Sequence, residues 1–391
     1  MSSGTRIFVT GIGICSALGL GSEENLRALK EGRSGIAFPR LLKTALTNLP
    51  AGEVKFTNDQ LRQLLGIDAG CNLPRTSLLG ALALREAISD AGLSAEILAD
   101  SALISGTTVG GMDRTEATFP RFEVPHDCGA TTEDMADLAG GFKIATTLST
   151  ACSSAANAMI TGAALIRSGR CRAVAAGGSE CLSDYHLHGF NSLMILSDEP
   201  CRPFDAHRKG LNLGEGAAFL ILESEESVRE RGGRAIAELC GWGNACDAYH
   251  QTASSPEGQG AFLAMKSALE MAAVPPSAVS YINAHGTSTP NNDASESAAI
   301  RRLFGENYPL VSSTKPFTGH TTSASGSIEA VYCLLAMQHS FIPTNLNWEE
   351  ADSACITPFT GKSSEEHSLE YALCNAFGFG GNDTSLIFKK I

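Results

Sequence analysis

Short apolar runs bounded by glycine alternate with long helical patterns along this 391-residue chain, and that alternation constrains its fold more than any other feature. Runs at residues 7–10, 102–105, 144–148, 173–176, 217–222, 280–284 and 371–375 have the length of buried strands. Helical periodicity is strongest at 75–91, 152–168, 259–273 and 321–338, each long enough to cover a sheet face. Strand and helix intermix throughout, which predicts an α/β body of three or more layers. Each half carries a motif loop, then a helix rich in small residues, then a glycine-rich strand end, and residues 173–178 loosely echo 371–378. This order suggests a duplication dividing near Gly232 and Gly233, into residues 1–232 and 233–391. No low-complexity or Pro-rich linker separates the halves, so one intimate body is expected.

Charge and cysteine usage remove several function classes. A formal net charge of -13 opposes generic binding to nucleic acid or to an anionic membrane. Residues 1–6 run straight into a strand-like segment, and no apolar stretch has signal-peptide or membrane-spanning length, so neither export nor a membrane span is expected. The 12 cysteines form no regular framework and no Cys-x-x-Cys pair. Neither a disulfide scaffold nor a zinc site follows, and a reducing cytoplasm fits best.

One cysteine stands apart. Cys152 lies in Ser149-Thr150-Ala151-Cys152-Ser153-Ser154, between the strand-like run 144–149 and a helical segment opening at Ser153. A sulfur at a helix N-terminus meets unpaired amides and the positive end of the dipole, which predicts a thiolate. Small neighbours leave room for a thioester, and the Cys152 amide is placed to line an oxyanion hole. The other eleven cysteines lack this setting and read as core or surface thiols.

Two histidines share the character of that turn. His285, in Asn283-Ala284-His285-Gly286-Thr287-Ser288-Thr289-Pro290, follows an apolar strand at the end where α/β sites form. His320, after Gly319, opens the helix expected from Thr321, where the dipole favours a neutral ring. For either ring alone a structural role is equally open. The pair, with Lys315 five residues before His320 and Glu329 nine after it, points to a tuned polar site. Near the C-terminus, Asn375-Ala376-Phe377-Gly378-Phe379-Gly380-Gly381-Asn382-Asp383-Thr384 joins two strand-like runs through glycines that admit close approach of a ligand. It lacks the Gly-Lys-Ser/Thr ending and following helix of a phosphate loop, and a plain hairpin turn would look the same.

With these elements in this order, the chain resembles the β-ketoacyl-(acyl-carrier-protein) synthases, Cys-His-His condensing enzymes of the thiolase superfamily. The likeness runs from Ile7-Phe8-Val9-Thr10-Gly11-Ile12-Gly13, through Cys201-Arg202-Pro203-Phe204-Asp205 and Gly214-Glu215-Gly216-Ala217, to Phe388-Lys389-Lys390. It implies a thiolase-like five-layered α/β/α/β/α fold of two duplicated halves, working as a homodimer or as a heterodimer with a ketosynthase-like subunit. It further implies a decarboxylative Claisen condensation in fatty-acid or type II polyketide or polyene synthesis. Acyl groups would arrive on the phosphopantetheine of acyl carrier protein, with no metal or other cofactor. By motif, Cys152 matches the acylated nucleophile, His285 and His320 the decarboxylating pair, and Lys315 and Glu329 the charged support. Asp293 and Glu296 match supporting acids of the histidine motif, and Thr287 and Thr289 match pantetheine contacts. Phe379, between Gly378 and Gly380 of the substrate-binding loop, matches the gate whose amide joins that of Cys152 in the oxyanion hole.

Departures from the family pattern bear on specificity. The segment 121–147, with Pro125-His126-Asp127-Cys128-Gly129, is short where relatives carry an apolar stretch, which leaves chain-length preference open. Residues 65–78 offer only Arg75 to an acidic carrier. Asn382-Asp383 stands where the family has Thr-Asn, and Lys209-Gly210-Leu211-Asn212 where it has Asp-Gly-Phe-Val. A non-elongating subunit of the chain-length-factor type is the alternative; Cys152 with both histidines argues against it. A thiolase would need a second cysteine, which residues 377–384 do not supply, and a papain-like hydrolase explains neither the second histidine nor the terminal loop.

Overall fold

The computed structural model describes residues 5–121 and 127–391. Its strands are β1 (Ile7–Ser16), β2 (Gly19–Leu20), β3 (Ala102–Gly106), β4 (Ile144–Leu148), β5 (Ala173–Glu180), β6 (Gly216–Ser224), β7 (Ala237–Cys246), β8 (Val279–Asn283), β9 (Leu310–Ser312), β10 (Tyr371–Gly378) and β11 (Asn382–Lys390). They form one sheet in the order β4-β3-β5-β6-β1-β7-β11-β10-β8-β9, with β2 paired to β1.

Strand order repeats. Leaving aside the two-residue β2, the third strand of each half lies outermost, followed inward by the second, fourth, fifth and first. Pairings along both paths run parallel, parallel, antiparallel, antiparallel. The two first strands meet at the middle, where Phe8 pairs with Glu238 and Val9 with Ala237. The loose echo between residues 173–178 and 371–378 joins β5 to β10, the fourth strand of each half.

Every residue of β1, β5 and β6 is buried, so these strands carry no polar alternation and need cover on both faces. In β6, Ala218, Leu220 and Leu222 enter a central cluster, while Ala217, Phe219 and Ile221 enter an outer one. Helices Ser154–Arg167 and Ser325–His339 pack on each other and on strands of both halves, forming the central layer. Helix Arg75–Ala91 covers β1, β5 and β6 from outside; helix Gln259–Ala272 covers β7 and β11. The result is five layers, α/β/α/β/α.

The outer helices rest directly on strand backbone. A Cβ at Gly11 or Gly13 would fall 2.3 Å from Ala87 O or 2.0 Å from Ala83 O; at Gly241 or Gly243, 2.4 Å from Ala268 O or 2.1 Å from Ala264 O. The same Gly-x-Gly device serves the first strand of both halves. Sequence periodicity missed β7 because those glycines interrupt its apolar run. It also placed one helix start too early. The chain makes a 3-10 turn at Thr322–Ala324, and the helix begins only at Ser325, after a run of small polar residues with low helix propensity.

Candidate active site

β4 ends at Leu148 and helix Ser154–Arg167 begins six residues later, leaving Cys152 in the intervening turn. Ala151 there has φ +53°, a left-handed conformation costly for a residue with a Cβ. Ser154 stabilises it by donating from Oγ to Ala151 O at 2.6 Å and accepting from Thr150 N at 2.9 Å. His285 follows β8 by two residues. The main chain of His320 is pinned on both sides: its N donates to Asn212 O at 2.7 Å, and its O accepts from Gly214 N at 2.9 Å.

The three motif side chains meet at a cavity of about 340 Å³, with Thr287, Thr289, Gly378, Phe379 and Gly380 also in its lining. Cys152 Sγ lies 3.1 Å from His320 Nε2. The imidazoles of His285 and His320 are edge-to-face, with centroids 5.3 Å apart. Behind them, Lys315 Nζ lies 3.3 Å from His285 Nδ1 and 2.5 Å from Glu329 Oε1. Ser325 Oγ closes the circuit, 3.2 Å from Glu329 Oε1 and 3.4 Å from His320 Nδ1. All five motif residues are at most 5 % exposed. A larger cavity of about 1030 Å³, lined by Leu41, Arg75, Met112 and Tyr185, contains none of them.

The site's electrostatics correct one expectation. Burial pushes the Cys152 thiol up to about 11, although Lys315 and the amides of Phe379 and Cys152 pull it down. A helix start alone predicts thiolate; here desolvation of the buried sulfur outweighs those donors and favours the thiol. Burial holds both imidazoles well below the usual histidine value, reinforced for each by Lys315. For His320 the sequence predicts a neutral ring through a facing helix dipole. It stands five residues before that helix, and burial is the main cause of the shift. Burial also raises the carboxyl of Glu329, against the attraction of Lys315.

The acids of the histidine motif lie behind the cavity wall. Glu296 accepts from the amides of His285 at 2.9 Å and Gly286 at 2.8 Å, and Asp293 from those of Phe204 at 2.8 Å and Ser288 at 3.1 Å. They fix the loop on which His285 rides. Burial pushes Glu296 up to about 7. Thr287 and Thr289 hydroxyls sit 2.8 Å apart in the lining. Gly378 has no room for a side chain: a Cβ would lie 2.9 Å from Thr150 O and 3.3 Å from Cys152 N.

Sequence reasoning missed Phe190, which stacks on Phe379 at 5.9 Å, and Ser325, which joins the two polar pairs. Neither belongs to a motif, and Ser325 is found only by counting five residues on from His320. Leu211, from the divergent 209–212 segment, lines the cavity. Arg75 is not a docking residue. It is 8 % exposed and forms a bidentate pair with Glu215 at 2.9 and 2.7 Å. Of the 121–147 segment, Pro125 and His126 lie outside the described residues.

Comparison with known proteins agrees with this geometry. Residues 4–227 match the family model "Beta-ketoacyl synthase, N-terminal domain", and residues 236–349 match "Beta-ketoacyl synthase, C-terminal domain". The chain is 35 % identical to 3-oxoacyl-[acyl-carrier-protein] synthase 2 of Vibrio harveyi, and 35 % identical to nodulation protein E of Rhizobium meliloti, over 99 % of both chains in each case. Among solved structures, the ishigamide ketosynthase/chain length factor superposes with a TM-score of 0.92 at 30 % identity over 100 % of both chains. The ketosynthase ApeO in complex with its chain length factor ApeC, from Xenorhabdus doucetiae, gives 0.83 at 31 % identity over 99 % of this chain and 98 % of that one. With the thiol and two imidazoles gathered in a thiolase-like body and both family models covering it, the chain belongs to the β-ketoacyl synthase family.

Proposed function

We propose that this protein is a β-ketoacyl-(acyl-carrier-protein) synthase that loads an acyl group onto Cys152 and extends it with malonyl-(acyl-carrier-protein), releasing carbon dioxide. The observation that carries this reading is the continuous circuit Cys152–His320–Ser325–Glu329–Lys315–His285. In the first half-reaction the Cys152 thiol attacks the acyl thioester while neutral His320 Nε2, 3.1 Å away, accepts its proton; the carrier's C–S bond then breaks, and the pantetheine sulfur leaves with that proton as a thiol. Oxyanion charge falls on the amides of Cys152 and Phe379, the two that face the sulfur.

In the second half-reaction the malonyl C–C bond breaks, carbon dioxide leaves, and the electron pair forms an enolate. Lys315 donates to His285 Nδ1, which fixes the ring proton on Nε2 and aims it as a donor at the enolate oxygen. His320, in the tautomer that carries its proton on Nε2 while the Ser325 hydroxyl donates to Nδ1, supplies a second donor in this step. The enolate carbon then attacks the acyl-Cys152 carbonyl, the C–S bond breaks to release the Cys152 thiolate, and a solvent proton restores the thiol. Thr287 and Thr289 hold the pantetheine arm, and Phe379 between Gly378 and Gly380 gates entry.

These groups are all the protein's own, so the proposal needs no metal or further cofactor beyond carrier-borne phosphopantetheine. The repeated strand order supports halves at 1–232 and 233–391. The assembly we infer is a homodimer, or a heterodimer with a ketosynthase-like subunit, in the reducing cytosol. Presenting acyl carriers of graded length and unsaturation with malonyl carrier tests the reading. Products two carbons longer, formed with ping-pong kinetics, support it; carriers returned unextended refute it.

A further inference from the structure

Phe379, Gly380 and Gly381 form the tip of the β10–β11 hairpin, and Asn382 closes it opposite Gly378. The side chain of Asn382 reaches away from the tip into the central layer. Its Oδ1 accepts from Asn157 Nδ2 at 2.8 Å and from Asn244 Nδ2 at 3.0 Å, and lies 2.8 Å from the hydroxyl of Ser153, the residue after the nucleophile. Asn157, on the helix that follows Cys152, also donates to Thr150 Oγ1 at 2.9 Å. Its own Oδ1 accepts from Thr384 Oγ1 at 2.9 Å and Asn244 Nδ2 at 3.1 Å. One carbonyl oxygen therefore ties together the gate hairpin, the nucleophile turn and β7.

This linkage spans the two parts that make up the oxyanion hole. One amide belongs to Cys152 on the nucleophile turn, the other to Phe379 on the hairpin tip. Nothing covalent holds these segments in register. Threonine, the family's usual residue here, has one short hydroxyl and cannot reproduce an amide oxygen receiving two N–H donors. Building on the condensation reading, we propose that Asn382 is a positioning residue that sets the spacing of the Phe379 amide from Cys152. The link acts on the thioester carbonyl, since a small alkylating agent uses the sulfur without an oxyanion hole.

The test uses the full-length protein and three measurements: acylation of Cys152 by hexanoyl-pantetheine, alkylation of Cys152 by iodoacetamide, both followed by peptide mass, and thermal melting. In Asn382→Ala, acylation is expected to slow about 10- to 100-fold, with alkylation within threefold of wild type. Asn382→Asp retains an acceptor for both amide donors and is expected to recover acylation. Its added negative charge, held against the hydroxyl of Ser153 next to the nucleophile, moves the pH dependence to higher pH. Acylation of Asn382→Ala at the wild-type rate would overturn the proposal. So would equal slowing of both reactions, or Asn382→Asp no better than Asn382→Ala, since these outcomes describe a residue that only supports the fold. Absence of any hexanoyl adduct on wild-type Cys152 would instead overturn the condensation reading, and this inference with it.

Discussion

Replacing Lys315 by methionine tests the buried polar circuit by stability as well as rate. Lys315 and Glu329 are 1 % and 2 % exposed, with 2.5 Å between Nζ and Oε1, and Glu329 Oε2 has no hydrogen-bond partner among the described residues. Removing the cation strands a carboxyl group in the core, a change that costs about 3–5 kcal/mol. For 391 residues the entropy of unfolding is about 0.8 kcal/mol/K, so the melting temperature should fall by roughly 4–6 °C at fixed protein concentration. Glu329 already titrates above the usual carboxyl value through burial, and loss of Lys315 raises it further. A carboxyl whose folded pKa exceeds its unfolded value destabilises increasingly as pH rises from the unfolded value through the folded one. The deficit should therefore be smaller at pH 5.5 than at pH 8, and Glu329→Gln in the same chain should return part of it. Melting curves of the two single variants and the double variant at both pH values decide the matter. A deficit independent of pH, or single losses that simply add, would refute the reasoning.

Other perturbations separate the remaining parts. His285→Ala should slow malonyl decarboxylation about 100- to 1000-fold while Cys152 acylation stays within tenfold of wild type, measured as carbon dioxide release and adduct formation; equal losses would contradict the division of roles. Burial and the neighbouring charge of Asp247 push Asp383 up to about 8, so Asp383→Asn should raise the melting temperature. That gain should grow between pH 5 and pH 8, by the same sign rule, to a magnitude on the order of 2–4 kcal/mol. Phe190→Ala removes the ring stacked on Phe379 and widens the cavity, so the extended products should shift to longer chains in a competition assay among acyl carriers.

Much of this protein is legible in one dimension where a single physical requirement selects the residue. Uninterrupted apolar runs such as 217–222 had to be strands covered on both faces, and Cys152 and His285 occupy turns just beyond the strands β4 and β8. β7 was hidden because Gly241 and Gly243 serve helix packing rather than strand propensity. The thiol's protonation state was misjudged because local helix electrostatics can be read from neighbours in sequence, whereas burial depends on the whole fold. Phe190 and Asn382 act through partners more than a hundred residues away, so no local pattern marks them, while Ser325 lies only five residues from His320 but belongs to no motif. Arg75 shows the converse: as the one cation of residues 65–78 it looks like surface in sequence, yet its partner Glu215, 140 positions on, holds it buried.

The most direct measurement is a chase of the acyl-enzyme. Wild-type protein is loaded with an acyl group from its carrier, freed of excess carrier, and mixed with malonyl carrier while the mass of the Cys152 peptide is followed. The account requires the adduct to leave Cys152 in step with one carbon dioxide per acyl group, and to reappear on the carrier as a β-ketoacyl chain two carbons longer. An adduct that never forms on Cys152, or one that persists or hydrolyses without extension, would contradict it.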